Sequence, residues 1–358
     1  MKIKLIRNMT KDIAAEVWRA SRSQDVPTDG VHLIDAPVND FPAVTLGIEC
    51  TIAEREVFVT FRDHVMWART SRVDNPLEYV VDEHFDPEEF EYFRKAMLVL
   101  KEQGDSQDEY RLDLPLIAMT SFTCQISART LIKIWHTFND LCDDAMDDRL
   151  YAMYGKAATE LMKIIEHIGY KDATRSIRPV EAFPDIENGA GGRVGDMLTV
   201  YIPDAPIALR AQVIRHRSLF VKDMMRDILN KAHKFSIGQR VPIQISADID
   251  TWRGIISKRQ CWLAQHDLWK PVVDQVAMTM GNMHMLPCSA KTGLAICPYN
   301  EDAELRYTSA DPNPPCPMHA YLTDADFTDH KEDALEMVER DNRPAFWYSI
   351  IASTRVDR

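Results

Sequence analysis

Six basic residues crowd into one short stretch of this chain: Arg210, Arg215, His216, Arg217, Lys222 and Arg226. The chain as a whole is acidic, with a formal net charge of −13. Guanidinium forks match phosphate oxygens, and an anionic ligand relieves the crowding of like charges. On a helix, Arg215, Lys222 and Arg226 fall on one stripe, because their spacings of seven and four bring them to the same face. The same charges also suit a solvated basic face paired with Asp204, Asp223 and Asp227. Charge by itself leaves both readings open.

Two further groups have ligand-like side chains. His284, Cys288, Cys297, Cys316 and His319 lack the short paired spacings of zinc modules, so buried free cysteine is the better reading. Asp143, Asp144, Asp147 and Asp148 lack the glycine and ligand periodicity of a calcium loop, which favours a solvated helix face. Met278, Met280, Met283 and Met285 read as packing. Neither a glycine-rich phosphate loop nor a G-x-S-x-G elbow is present.

The elements that must position these groups follow from pattern. Lys2 to Ile6 alternate like a strand, and Thr10 is placed to cap a helix through Ile13, Val17 and Trp18. Glu56 to Phe61 has strand composition. Asp82 to Glu91 is an acidic surface stretch, followed by a helix to about Lys101. A helix starts near Ser127, and another ends at Gly169. Ser176 to Gly192 holds two prolines and three glycines and reads as a linker. Beyond it come a strand over Met197–Ile202, a helix from Ala205 to about Ala232, and a helical pattern from Ile249 to Met280. Residues 331–342 resemble one more exposed helix.

The 358 residues suffice for two domains, and 46% hydrophobic with 27% charged residues is a globular balance. Seven scattered cysteines, an odd number, suggest reduced thiols in a cytosol. No apolar run approaches about eighteen residues, so neither a membrane span nor a secretory leader is expected. The acidity argues against binding duplex nucleic acid but leaves room for a small anion in a local cationic pocket.

Ala205-Pro206-Ile207, Gln212 and Arg215-His216-Arg217 together resemble the segment of the flavin-dependent thymidylate synthases (ThyX) that opens the signature R-H-R-x-x-S-x-N-E-x-S. Phe220, Lys222, Asp223 and Met225 stand where that signature has Ser, Asn, Glu and Ser. The flavin-facing half is therefore kept and the substrate-facing half altered. The family's later segment, L-P-x(4)-T … N-A-R-S-L, finds its better match upstream, in Leu114-Pro115-Leu116, Thr120, Phe122 and Ser127-Ala128-Arg129-Thr130-Leu131. This order fits either circular permutation or a tandem duplication with complementary decay, and the duplication is favoured because each copy lacks what the other keeps. Val73-Asp74-Asn75 would then hold the triplet's place in the first copy, and Asp248 and Asp250 would replace Asn and Arg in the second.

The resemblance implies an α+β (mixed α/β) fold of two ThyX-like copies, each a sheet flanked by long helices. Residues 1–175 would form the first copy, 176–192 a linker, 193–330 the second copy, and 331–358 a C-terminal helix and tail. It implies FAD, methylenetetrahydrofolate and NADPH, with dUMP or dCMP as substrate, methylated or hydroxymethylated at carbon 5. A cytoplasmic homodimer acting as a pseudo-tetramer would result, and such an enzyme suits a virus that modifies its DNA building blocks, acting in the host cytoplasm. His216 and Arg217 would act in catalysis. Arg215, His216, Arg217, Ser127 and Arg129 would hold the cofactor, and Gln212, Lys222, Asp223, Arg226 and Arg259 the substrate. A catalytically inactive nucleotide- or flavin-binding, or structural, descendant is the alternative.

Overall fold

The computed structural model describes residues 1–8, 42–61, 65–68, 75–105, 107–175, 191–216, 218–259 and 266–280, with a few positions of 177–186 and Glu336 and Glu339. Strands β1 (Lys2–Asn8), β2 (Pro42–Thr51), β3 (Val65–Ala68) and β4 (Met119–Ser127) form an antiparallel sheet of order β1-β2-β4-β3. Helix α1 (Ile52–Thr60) follows β2, α2 (Pro87–Glu102) lies between β3 and β4, and α3 (Ala128–Asp143) and α4 (Asp148–His167) follow β4. Later in the chain come β5 (Gly192–Val194), β6 (Met197–Pro206), β7 (Phe220–Asp223) and β8 (Arg240–Asp248), in a sheet of order β5-β6-β8-β7. Helix α5 (Ile207–Ile214) follows β6, α6 (Met225–Leu229) follows β7, and α7 (Ile249–Arg259) and α8 (His266–Met280) follow β8. Mixed α and β content is thus observed.

The compact units interleave along the sequence. One comprises Met1–Asp185, Pro206–Arg217 and Lys222–Val241, and the other Ile186–Ala205, Ser218–Val221 and Pro242–Arg358. In the first, Phe58 of α1 meets Phe122 of β4 edge-on with centroids 5.1 Å apart, and Phe138 of α3 lies 6.1 Å from both Phe58 and Tyr154. In the second, Trp252 of α7 is fully buried and donates its indole N–H to the Leu198 carbonyl at 2.9 Å.

Several sequence expectations change. Glu56–Thr60 belongs to a helix that Phe61 caps, because Thr51 and Glu54 form a reciprocal capping box that starts α1 and outweighs the β-branched composition after it. The expected helix from Ala205 to Ala232 ends at Ile214; the chain then extends into β7 before the short α6. Arg215, Lys222 and Arg226 therefore share no helical stripe. Asp82, expected on an acidic surface, is buried and bonds both the backbone N–H and the ring of His84. The helices near 10–18 and over most of 331–342 lie outside the described residues, as do the histidines and cysteines of the zinc-like group. Strand β1, the Ser127 cap and a positive φ of 82° at Gly169 agree with the sequence reading.

Asp144 and Asp147 are engaged with protein partners. The guanidinium of Arg226 bonds Asp144, and Asp147 caps α4 through the Arg149 N–H at 2.9 Å while bonding Arg149 Nε at 3.0 Å. The hydrogen bond from the Arg149 side chain holds the Asp147 carboxyl down at about 2, below its ordinary 3.8. A depressed carboxyl stabilises the fold above the unfolded value and loses that contribution as pH falls through the folded one. Asp147→Ala is expected to cost about 1–2 kcal/mol at neutral pH, the cap plus a solvent-screened ion pair. In urea titrations the gap to the parent protein should narrow between pH 4 and 2, about the range those two values bracket; a gap constant with pH would contradict this.

Candidate functional site

The basic segment begins where β6 becomes α5. Pro206 is the N-cap of α5, with φ fixed near the value an extended-to-helix junction needs, and it lacks an N–H that would otherwise be orphaned. The first two helical N–H groups, of Ile207 and Ala208, donate to Gln239 and Ile237 carbonyls at 3.1 and 2.9 Å. The start of α1 is held the same way, Ile52 and Ala53 donating to Ala118 and Leu116 at 2.9 and 2.8 Å. The acceptor segments pair with each other: Leu116 N–H donates to Phe235, and Ile237 N–H to Leu114, both at 2.9 Å, around the bridge between Pro115 and Ser236. The Leu114-Pro115-Leu116 run thus anchors two helix starts through one reciprocal contact. Gly238 lies so close to Leu112 that an added Cβ would sit 2.8 Å from its carbonyl oxygen.

Below the segment lies a buried ionic cluster. Arg210 of α5 is 1% exposed and donates through Nε to Asp223 at 2.6 Å, through Nη1 to Glu56 at 3.1 Å and through Nη2 to the Thr60 hydroxyl at 3.0 Å. Its guanidinium also lies 5.6 Å from the centre of the Phe183 ring. Glu56 accepts a further bond from Arg55 at 3.1 Å, and Asp223 one from the Met225 N–H at 2.9 Å. Each carboxylate oxygen that these bonds use has its own donor, the condition under which a buried ion cluster is tolerated.

Arg215 is the C-cap of α5 and has an open surface. Although the side chain reaches the surface, surrounding protein partly desolvates its guanidinium and lowers its pKa, as does the neighbouring Arg55, with Glu56 opposing. Three guanidinium groups, of Arg55, Arg210 and Arg215, face two carboxylates, of Glu56 and Asp223. That leaves local positive charge in an acidic protein, and phosphate or a carbonyl oxygen bearing negative charge would relieve it.

The expected site residues divide by environment. His216 and Gln212 are half-buried near the end of α5, and Lys222 is half-buried in β7. Arg217 lies outside the described residues. Asp223, expected at the substrate, is 2% exposed and serves Arg210. Arg226 turns its guanidinium to Asp144. Ser127 is buried and spends its hydroxyl on the start of α3, accepting from Thr130 N–H at 3.2 Å and donating to Thr130 Oγ1 at 3.1 Å. Arg129 is half-buried in the first turn of α3. Arg259, in the second unit, stacks on Trp269 with its guanidinium carbon 4.3 Å from the ring centre. Sequence reasoning missed Arg55, Glu56 and Thr60. The T-x-x-E capping box that makes their segment helical was the available signal.

No family model matches this sequence, and no curated protein does. Among solved structures, the thymidylate synthase X (ThyX) of Helicobacter pylori, determined with FAD and dUMP, is similar at 16% identity and a TM-score of 0.33. That match covers 49% of this chain and 100% of the other.

Proposed function

We propose that this chain is a tandemly duplicated, ThyX-like flavoprotein that transfers a one-carbon unit to carbon 5 of a deoxypyrimidine monophosphate. The observation that carries the reading is the Arg215-His216 end of α5, where Ala205-Pro206-Ile207, Gln212 and Arg215-His216-Arg217 keep family spacing and form a surplus of positive charge. Arg215 and Arg217 would hold oxygens of flavin or pyrimidine, with His216 beside them, and Gln212 and Lys222 would face the nucleotide. Bound flavin would supply the reducing electrons; the chain's own contribution is charge stabilisation and orientation.

Duplication is supported by register. The two sheets have the same strand order. β2, α1 and β3 start at Pro42, Ile52 and Val65, and β6, α5 and β7 start 155 residues later at Met197, Ile207 and Phe220. β4 and α3 start at Met119 and Ala128, and β8 and α7 start 121 residues later at Arg240 and Ile249. The difference is a longer β3–β4 connection in the first copy, which carries α2. In this register Thr60-Phe61-Arg62 stand opposite Arg215-His216-Arg217, which moves the triplet's counterpart away from Val73-Asp74-Asn75. Asp248 stands opposite Ser127, and its carboxylate accepts from Thr251 N–H at 2.7 Å as Ser127 does from Thr130. Phe61 is buried where His216 is half-open, so one flavin per chain is expected rather than two.

The second reading, an inactive binding descendant, is favoured by one observation: Asp223, in the altered half of the signature, is taken up by Arg210. The deciding measurement is flavin absorbance of the purified chain, before and after incubation with FAD. It is followed by a single turnover with dUMP or dCMP and isotopically labelled methylenetetrahydrofolate, read by mass spectrometry. A yellow protein that labels either nucleotide supports an enzyme, and the added mass separates methyl from hydroxymethyl. Flavin uptake without labelling supports the inactive descendant, and a colourless protein that refuses FAD rejects the flavin enzyme and leaves an inactive nucleotide-binding or structural descendant.

A further inference from the structure

We propose that a cleft in the first unit, built from residues other than the Arg-His-Arg segment, binds an elongated organic dication of the α,ω-diamine class. The cleft has a volume of about 410 Å³ and lies among the start of β1, the end of β2, the start of β4, the Glu78–Glu83 segment and Lys156 of α4. Its lining includes Thr120, which is 5% exposed and whose Oγ1 has no hydrogen-bond partner among the described residues. A buried hydroxyl in that condition is unfavourable, and a ligand N–H donating to it removes the deficit.

The remaining lining specifies charge and shape. Glu49, Glu78, Asp82 and Glu83 stand against Lys2 and Lys156, and the Met1 ammonium, also in the lining, is paired with the buried carboxylate of Glu54 at 3.5 Å, so the cleft keeps an excess of two negative charges. Lys156 pairs with Glu83, and Lys2 faces Glu49 across β1 and β2. Glu78 accepts from Asn75 at 2.8 Å and Asp82 from His84, yet a carboxylate has lone pairs for more than one donor. Among the described residues no three His, Cys, Asp or Glu side chains converge as metal ligands. The negative charge is therefore spread along the cleft, which disfavours a point dication and favours two ammonium groups held apart by a chain. Val81 and Met119 also line the cleft and offer apolar surface to connecting methylenes.

Calorimetric titration of the full chain with 1,4-diaminobutane and with spermidine tests this, using butylamine and magnesium chloride as comparison solutes. Saturable binding of one diamine per chain is expected, with butylamine weaker by about tenfold or more for want of the second ion pair. Magnesium at matched ionic strength should not displace the diamine. Glu49→Gln and Glu78→Gln should each weaken it by about fivefold, and Thr120→Val should weaken it without lowering the melting temperature of the free protein. Absence of diamine binding, equal affinity for butylamine, displacement by magnesium, or Glu49 and Glu78 variants that bind like the parent would each overturn the proposal. Flavin binding is read separately, so failure here leaves the flavoprotein reading intact.

Discussion

Replacing Arg210 by methionine is expected to cost about 3–5 kcal/mol of folding stability, the usual consequence of removing one member of a buried ion cluster. Methionine fills much the same volume, so lost packing is a minor part of the effect. The larger part is electrostatic: Glu56 keeps Arg55, but its other oxygen loses its donor, and Asp223 keeps only the Met225 N–H. Urea unfolding at neutral pH measures the loss. Adding Glu56→Gln and Asp223→Asn to the methionine variant should recover stability, because the unpaired charges are then gone. A single variant within about 1 kcal/mol of the parent would show that the cluster does not hold α5 against α1 and β7.

The second large effect is on ligand binding. Arg215→Ala is expected to weaken FAD binding by about 10–100-fold, the range for losing one charge-assisted hydrogen bond to an anionic ligand. Stability should change by less than about 0.5 kcal/mol, since Arg215 is exposed at a helix end and its removal relieves repulsion with Arg55. The two variants thus separate roles within one arginine-rich stretch. Arg210→Met should be felt first in the melting curve, and Arg215→Ala first in the flavin titration. An Arg215→Ala protein that binds FAD like the parent would remove this residue from the site.

How much of this was legible beforehand depends on how local each signal is. The cap at Ser127, the strand over Lys2–Asn8 and the turn at Gly169 rest on neighbours a few residues away, and all were readable. The capping box at Thr51 and Glu54 is equally local, but the Val57-Phe58-Val59 run that follows it has the composition of a strand. Pattern could not tell whether the chain after Ile214 stays helical, because basic residues suit an exposed helix face as well as an extended segment. Its course into β7 is settled by neighbouring strands in the folded sheet.

The basic segment itself shows the same division. Its residue types and spacing, and hence its affinity for an anion, were written in the sequence. What the sequence could not supply was the difference between Arg210 and Arg215, two arginines five positions apart with similar surroundings in the chain. Tertiary structure brings Asp223 and, from 154 residues away, Glu56 to Arg210, and leaves Arg215 open at the end of the helix. Burying a guanidinium requires partners at bonding distance in three dimensions, and no periodicity along the chain encodes contacts at that separation.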